Sequence, residues 1–311
     1  MRICSLVPGA TEVVVSLGLG EALVGISHEC DYPETVRHVP VMVQAAIDSD
    51  DVDSAAIDRQ VKSLMSSGQP LYRLDEWAFH AARPDIILAQ DICHVCAITP
   101  QPLERVVHSL SPRPQLVTLA PHSLTEVLDD VERIGAALGV ASRGIALAQS
   151  LRSRIAAVRK ASAGRSRPRV ICLEWLDPLY VGGHWVPEMV EIAGGHDALG
   201  HAGQPSRGVT MEEVLAATGD IIIAMPCGFS VSRTVSEVTT VCRRNDPCSH
   251  LLRSAQTYAV DAASYFSRPG PRLVDGVELL ADIFTGAVSG DRSSDSVVNL
   301  TGTLCLTGQS L

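Results

Sequence analysis

Short apolar runs alternate with stretches of helical periodicity along most of the chain, the pattern typical of an α/β fold. Each of these runs is five residues long and mostly apolar, as buried strands of a parallel sheet are. The predicted strands are Ile3–Val7, Leu23–Ser27, Val39–Val43, Asp85–Ala89, Gln115–Leu119, Arg169–Leu173, Asp220–Ala224 and Gln256–Val260.

Between these runs, apolar residues recur at helical spacing. Pro8-Gly9 ends the first strand, and Thr11-Glu12 opens the first helix. In the second half of the chain, Thr210-Met-Glu-Glu213 fits a capping box, which predicts the start of another helix. Gly9 would serve either as a turn or as the start of an anion-binding helix terminus. The predicted helices are Val13–Leu19, Ala55–Ser66, Asp75–Ala82, Leu103–Leu110, Pro187–Ala193 and Leu273–Val288.

The longest helical stretch, residues 123–161, lies between two α/β halves. It begins at a second capping-box pattern, Ser123 to Glu126, and Gly139 is expected to bend or interrupt it. The sequence therefore predicts two Rossmann-like α/β lobes joined by a single long helix. Their bounds are residues 1–120 for the first lobe, 121–162 for the linking helix and 163–288 for the second lobe, with a loose tail over 289–311.

Composition places the chain among globular proteins and argues against a nucleic-acid partner. Its 311 residues are 46% hydrophobic and 19% charged, and its formal net charge is −10. No basic patch and no apolar run long enough to span a membrane is present in the sequence. Because Met1-Arg2 leads directly into the first strand without a secretory pattern, we expect a cytoplasmic protein whose nine cysteines are reduced.

Polar and reactive residues follow the predicted strands at their carboxyl ends, where open parallel sheets bind ligands. His28 to Tyr32 follow the second strand, and Glu174 to Pro178 follow the first strand of the second lobe. A cleft between the two lobes is therefore the predicted binding site. Glu174 and Asp177 there would also suit general acid–base chemistry, although no nucleophile-elbow, phosphate-loop or zinc-protease motif accompanies them.

Cysteines and histidines cluster at the same strand ends. The chain has one Cys-x-x-Cys motif, and one such pair falls short of the four ligands of a structural zinc site. Thiolates and imidazoles on one wall would bind Zn, Fe or Cu, or would ligate the cobalt of a corrinoid, whereas free cysteines more often fill apolar cores. The candidate metal ligands are Cys30, Cys93, Cys96, Cys227, His28 and His94, with His184 as a further nitrogen donor.

Six motifs in order resemble a cobalamin-binding protein of the substrate-binding superfamily of ABC importers. They are SLVPGATEVVVSLGLG with VGISHECDYP, RPDIILAQD, EWLDPLYVGGHWVPEMVEIAGG, TMEEVLAATGDIIIAMPCG and YFSRPGPRLVDG, and the resemblance that they carry extends over residues 2–288. The resemblance implies two α/β lobes joined by a long helix, with a cobalamin-like corrinoid held between them. The positions that match its aromatic and polar contacts are Tyr32, Trp175, Tyr180, Trp185, Phe266 and Arg268.

The chain also departs from that family's pattern. Glu212 matches the carboxylate that docks the transporter on the second lobe, but Trp77 stands at the first-lobe position after Asp75-Glu76. Gln90 stands where an aromatic cleft residue is expected. These departures indicate a cytoplasmic branch of the family, with a changed ligand or a changed use for it. Such a receptor would store, escort or scavenge a corrinoid, and its expected partner is a corrinoid-receiving protein. The alternatives are a metal-dependent enzyme on the same fold, with Glu174 as acid or base, and an importer receptor whose signal sequence was removed.

Overall fold

The first lobe is a six-stranded sheet covered by helices. The structure is a computed structural model that describes residues 1–47, 49, 52–92, 100–244, 246–288 and 295–302. The elements of this lobe are β1 (Ile3–Ser5), α1 (Pro8–Ser16), β2 (Leu23–Ser27), β3 (Val41–Ala45), α2 (Ser54–Ser66), β4 (Tyr72–Leu74), α3 (Glu76–Ala82), β5 (Ile86–Gln90), α4 (Pro100–Ser109) and β6 (Gln115–Leu119).

The strands of this sheet run in the order β4-β3-β2-β1-β5-β6. All neighbours are parallel except β4, which is antiparallel to β3. The central strand β1 is fully buried, as expected for a strand covered on both faces. Helix α1 begins at Pro8, three residues before the predicted opening at Thr11, because proline fits the first turn of a helix.

Two helices connect the lobes: α5 (Leu124–Ala137) and α6 (Ala141–Ser162). The interruption expected at Gly139 is a complete break, since Gly139 has a φ of +73° and α6 folds back along α5. The backbones cross closely at two glycines: a Cβ on Gly135 would lie 2.8 Å from the Cα of Gly144. The single long helix predicted for residues 123–161 is thus a helix pair, in which α6 alone has 22 residues.

Both linking helices are embedded in both hydrophobic cores. In α5, Val127 packs in the second-lobe core, while Val131 and Ile134 pack in the first-lobe core. In α6, Leu151 belongs to the first-lobe core and Val158 to the second-lobe core. Because separating the lobes would expose these apolar residues, the helix pair restricts motion of one lobe against the other.

The second lobe is built around a seven-stranded sheet in the order β10-β8-β7-β11-β12-β13, with β9 beside β7. β7, β11 and β12 are parallel, whereas the β7–β8, β8–β10 and β12–β13 pairs are antiparallel. Its elements are β7 (Arg169–Leu176), β8 (Leu179–Val181), α7 (Val186–Ala193), β9 (His196–Asp197), β10 (Arg207–Gly208), α8 (Met211–Ala217), β11 (Ile221–Ala224), α9 (Val231–Cys242), α10 (Pro247–Ser254), β12 (Gln256–Val260), α11 (Ala262–Tyr265), α12 (Leu273–Phe284) and β13 (Val297–Asn299).

The prediction of a loose tail over residues 289–311 is wrong at β13. Val297 pairs with Val260 of β12 and is fully buried, so this part of the segment is an edge strand of the second sheet. The capping box predicted at Thr210 is present, and it starts α8. No helix in the described part of the chain is long and apolar enough to cross a membrane.

Candidate functional site

The carboxyl ends of β1, β2, β7, β11 and β12 meet between the lobes, and the loops that follow them contact one another there. At the centre, the backbone of α1 approaches the loop before α12 so closely that no side chain fits between them. A Cβ on Gly9 would lie 2.0 Å from the carbonyl oxygen of Pro269, and one on Gly270 would lie 2.7 Å from the Cα of Gly9. Gly9 is therefore the point of backbone contact between the lobes.

Arg268 connects the two lobes beside this contact. Its side chain is 10% exposed, and its guanidinium donates hydrogen bonds to both carboxylate oxygens of Asp31 and, at 3.4 Å, to Glu29. Burial acts to lower the pKa of Arg268, but the carboxylates of Asp31 and Glu29 outweigh it and raise that pKa above its ordinary value. Arg268 thus lies in the cleft, paired with the residues that follow β2.

A second guanidinium crosses the cleft a few residues further on. Arg272 donates from Nε and Nη2 to Glu12 Oε1 at 3.0 and 2.6 Å, and its side chain is 14% exposed while that of Glu12 is 5% exposed. Burial raises the pKa of Glu12, and the hydrogen bond and charge of Arg272 oppose that rise. The Arg272 guanidinium also lies 4.1 Å from the ring centre of Tyr32, which is otherwise 49% exposed.

At the other end of the cleft, the start of α2 rests on the second lobe. The backbone N–H of Ser54 donates to Glu237 Oε1 at 3.1 Å, and the Ser54 hydroxyl donates to the same oxygen. The Trp175 indole N–H donates to the Ser54 carbonyl at 3.2 Å. Arg233 Nη2 donates to the carbonyls of Ser49 and Val52 at 2.5 and 3.1 Å. These contacts close the cleft between α2 and the ends of β7 and α9.

Trp175 and Tyr180 form the aromatic wall of the second lobe. They are paired across the antiparallel β7–β8 ladder and are both partly exposed. The Trp175 ring meets Phe229 edge-on at 5.4 Å. The Trp175 indole reaches Ser54 of the first lobe, and directly paired residues of a ladder point to the same face of a sheet. Tyr180 therefore lies on the same face as Trp175, the face turned toward the cleft.

Two of the expected aromatic contacts lie instead in the second-lobe core. Trp185 is 5% exposed and Phe266 is 3% exposed, and the Trp185 indole N–H donates to the Phe266 carbonyl at 2.7 Å. The reason is local: Trp185 precedes α7, whose buried face packs on α12, and Phe266 packs against the same helices. Their placement as ligand-facing residues is corrected accordingly.

The cysteines and histidines fall into three groups. Cys93, His94 and Cys96 lie outside the described residues. Cys30 is 4% exposed, contacts Thr11 Oγ1 at 3.1 Å, and burial raises the pKa of its thiol to about 11, so it packs as a protonated core residue. His28 and Cys227 are partly exposed, and His28 Nδ1 lies 3.1 Å from the Val43 carbonyl.

Within the ranges that the structure covers, no three His, Cys, Asp or Glu side chains are grouped closely enough to hold a metal ion together.

The two carboxylates on which the acid–base alternative depended are bound to other side chains. Glu174 accepts the Ser206 hydroxyl at 2.8 Å, and Asp177 pairs with Arg244.

Several residues of the cleft were not singled out from the sequence. They are Glu12, Ser54, Phe229, Arg233, Glu237 and Arg272. The signal that would have found two of them is a buried charge: Glu12 lies inside the apolar helix α1, and Glu237 lies on the buried face of α9. A buried carboxylate needs a partner, so each predicts a contact with another part of the molecule.

Comparisons with known proteins agree with this architecture. Residues 3–241 match the sequence model of the family described as periplasmic binding protein. A search of curated proteins gives no match.

Solved structures resemble the chain over nearly its whole length. The haem-binding protein RhuT of Roseiflexus sp. RS-1 is 21% identical, with a TM-score of 0.66 over 93% of this chain and 99% of that chain. The vitamin B12-binding protein BtuF of Vibrio cholerae is 20% identical, with a TM-score of 0.61 over 92% and 97%. A haem-binding protein of Pseudomonas aeruginosa is 19% identical, with a TM-score of 0.67 over 93% and 94%. At these identities the similarity establishes the fold alone.

Proposed function

The chain belongs to the periplasmic binding protein family, and on that basis we propose that it binds a corrinoid of the cobalamin type in the cleft between its lobes. The observation that carries the proposal is the convergence of Tyr32, Trp175 and Tyr180 on that cleft. A corrin ring has broad apolar faces that aromatic side chains cover well. Its amide side chains suit carbonyl and carboxylate groups such as those that line this cleft.

The charges of the cleft favour a corrinoid over haem. Among the described residues named above, four carboxylates cross or line the contact, and three guanidiniums lie with them: Glu12, Glu29, Asp31 and Glu237, and Arg233, Arg268 and Arg272. Each guanidinium already donates to first-lobe oxygens. A haem would bring two propionates to these carboxylates, whereas a cobalamin-type corrinoid brings neutral amides and a single phosphodiester.

Replacing Trp175 with Ala is expected to weaken cobalamin binding at least tenfold, because it removes the largest aromatic surface of the wall, worth about 1.5–3 kcal/mol. The measurement is a titration of the purified protein with cyanocobalamin, followed by absorbance or calorimetry. The matched control is Trp77→Ala. Trp77 is 79% exposed on α3, and it follows the antiparallel strand β4, so it lies away from the carboxyl ends.

The same titration with haemin separates the two ligand classes. Cobalamin binding that Trp175→Ala weakens and Trp77→Ala preserves supports the proposal. Haemin binding without any response to cobalamin would assign the cleft to a different tetrapyrrole. Equal cobalamin affinity in wild type and Trp175→Ala would show that the aromatic wall does not bind the ligand.

We further propose that the protein works in the cytoplasm. No disulfide joins the described cysteines at positions 4, 30, 172, 227, 242 and 248, which suits a reducing compartment. Fractionation of cells that express the native gene with a carboxyl-terminal tag is expected to place the protein in the cytoplasmic fraction. Recovery from the periplasmic fraction would contradict this.

A further inference from the structure

Helix α2 contributes little to the core of the first lobe, although it lies between two strands of that lobe. It connects β3 to β4 at the edge of the first sheet. Only Ser54 and Ile57 of its 13 residues are buried. In the part of the chain that the structure describes, no residue of α2 packs into the hydrophobic clusters of either lobe. Its position therefore depends on contacts other than a shared core.

The strongest of these contacts are made by the first residue of α2, and they go to the other lobe. Ser54 is fully buried, and its backbone N–H and its hydroxyl both donate to Glu237 Oε1. Its carbonyl accepts the indole N–H of Trp175 at 3.2 Å. The start of α2 thus lies directly on the aromatic wall of the second lobe.

The residues just before α2 are held by the same wall. Arg233 Nη2 donates to the Val52 carbonyl at 3.1 Å, and the guanidinium lies 3.7 Å from the ring centre of Phe229. Phe229 in turn meets the Trp175 ring edge-on. Residues 52–54, which we call the strap, therefore cover the indole N–H, the guanidinium and the carboxylate of the second-lobe wall together.

The groups that the strap offers to this wall are the groups of an amide. Two carbonyls accept hydrogen bonds and one N–H donates, with a hydroxyl beside it. A cobalamin-type corrinoid offers the same set, because each of its side-chain carboxamides has one carbonyl acceptor and two N–H donors. Trp175, Arg233 and Glu237 are thus matched to the strap and to such a ligand alike. The indole has a single N–H, so it serves only one of them at a time.

From this match we infer that the strap is an internal stand-in for the ligand, which occupies Trp175, Arg233 and Glu237 until the carboxamides of a corrinoid take its place. The inference rests on the function proposed above, and it adds Arg233 and Glu237 to the residues that bind the ligand. The strap satisfies a buried carboxylate that would otherwise lack donors. Because the strap must detach first, it lowers the apparent affinity for the ligand.

The test compares cyanocobalamin binding by the wild type and by Ser54→Ala. This substitution removes the hydroxyl that donates to Glu237 but keeps the backbone of the strap. The helix retains its start, because its N-cap is Asp53, whose side chain accepts a backbone N–H of the first turn at 2.7 Å. Hydrogen bonds to a charged group are among the stronger ones, so the strap detaches more often and the apparent affinity is expected to rise roughly threefold or more.

The matched control is Ser66→Ala at the other end of α2. The Ser66 hydroxyl donates to a carbonyl of the same helix and is exposed. Its removal leaves the strap attached to the second lobe, so the affinity for cyanocobalamin is expected to equal that of the wild type.

Hydrogen exchange read by mass spectrometry reports the strap itself. Before any ligand is added, Ser54→Ala is expected to exchange faster than the wild type over residues 52–57, whereas Ser66→Ala is not. Saturating cyanocobalamin is expected to speed exchange of the same residues in the wild type, because it displaces the strap. A lid that closes over its ligand would instead slow that exchange.

The outcomes separate the inference from the proposed function. Cyanocobalamin binding of equal affinity in wild type and Ser54→Ala, or slower exchange over residues 52–57 in the wild-type complex, would overturn the inference and leave the proposed function standing. Absence of binding in both proteins would overturn both, whereas binding that appears only in Ser54→Ala supports both. The wild-type exchange measurement needs no substitution, so it gives its answer even if Ser54→Ala does not fold.

Discussion

Replacing Gly9 with Ala is expected to destabilise the protein by about 2–3 kcal/mol, although alanine is the better helix former. The new Cβ would lie 2.0 Å from the carbonyl oxygen of Pro269 and 2.5 Å from its carbon. Both atoms belong to the backbone, so no side-chain rotation relieves the overlap. Either α1 or the loop before α12 must move, and that movement separates the lobes.

Urea unfolding measures the loss of stability, and small-angle scattering measures the separation. The matched control is Gly20→Ala, where a Cβ would meet only the Val15 side chain, at an ordinary 3.5 Å. This control is expected to be neutral or slightly stabilising. If Gly9→Ala and Gly20→Ala behave alike in both measurements, the backbone contact between the lobes is absent in solution.

The contact at Gly9 illustrates which parts of the fold sequence patterns predict. The runs that became β2, β6 and β12 were predicted to the residue, because a short run of strand-forming residues between turn or helix signals indicates a strand wherever it lies in the sheet. The short strands β8, β9 and β10 carry no such run, and their pairing depends on neighbours that the local sequence does not identify. The contact at Gly9 could not be predicted for the same reason, because its partner, Gly270, is distant in the chain.

The candidate site was likewise predictable only where the local sequence determines it. The strand-end rule indicated Tyr32 and Trp175, and the family resemblance added Arg268; these residues lie where the lobes meet. The resemblance also indicated Trp185 and Phe266, which α7 and α12 draw into the core. A strand-end position does not determine whether an aromatic ring turns toward the cleft or packs beneath it. Helix packing decides that, and it depends on the whole lobe.

Ion pairs between the lobes show the limitation most clearly, because both partners must be known before either has a meaning. Arg272 lies in the same motif as Arg268, and Glu12 lies in the first helix. The apolar surroundings of Glu12 indicate that it needs a partner, but nothing in the sequence identifies Arg272 as that partner. Together they form a pair of which both members are mostly buried, so the carboxylate depends on its cation far more than an exposed one does.

Arg272→Ala is therefore expected to cost about 3–5 kcal/mol at neutral pH, since it leaves the Glu12 carboxylate buried without its main cation. The measurement is urea unfolding against wild type. The matched control is Arg152→Ala, which breaks the more exposed pairs with Asp129 and Glu132 and is expected to cost about 1 kcal/mol or less. An equal loss of stability in both variants would mean that the buried pair of Glu12 and Arg272 stabilises the protein no more than an exposed pair does.

The pH dependence of the stability lost in Arg272→Ala identifies the cause of that loss. Burial already raises the pKa of Glu12, and removing Arg272 takes away the two largest opposing effects, so the pKa rises further. The folded variant then holds a proton more tightly than the unfolded chain does. The penalty is fully present above the folded pKa, and it disappears as the pH falls through that value toward the unfolded one. We therefore expect the deficit relative to wild type to be smaller at pH 5 than at pH 7.5.

A second substitution separates the lost cation from lost packing. In Glu12→Gln/Arg272→Ala the buried group is neutral, so most of the stability lost in Arg272→Ala is expected to return, and the residual deficit is expected to be independent of pH. This remaining loss of stability includes the contact of the guanidinium with Tyr32, worth about 0.5–1 kcal/mol at a partly exposed ring. A double variant as unstable as Arg272→Ala, with a deficit equal at both pH values, would show that Arg272 stabilises the lobes by packing alone.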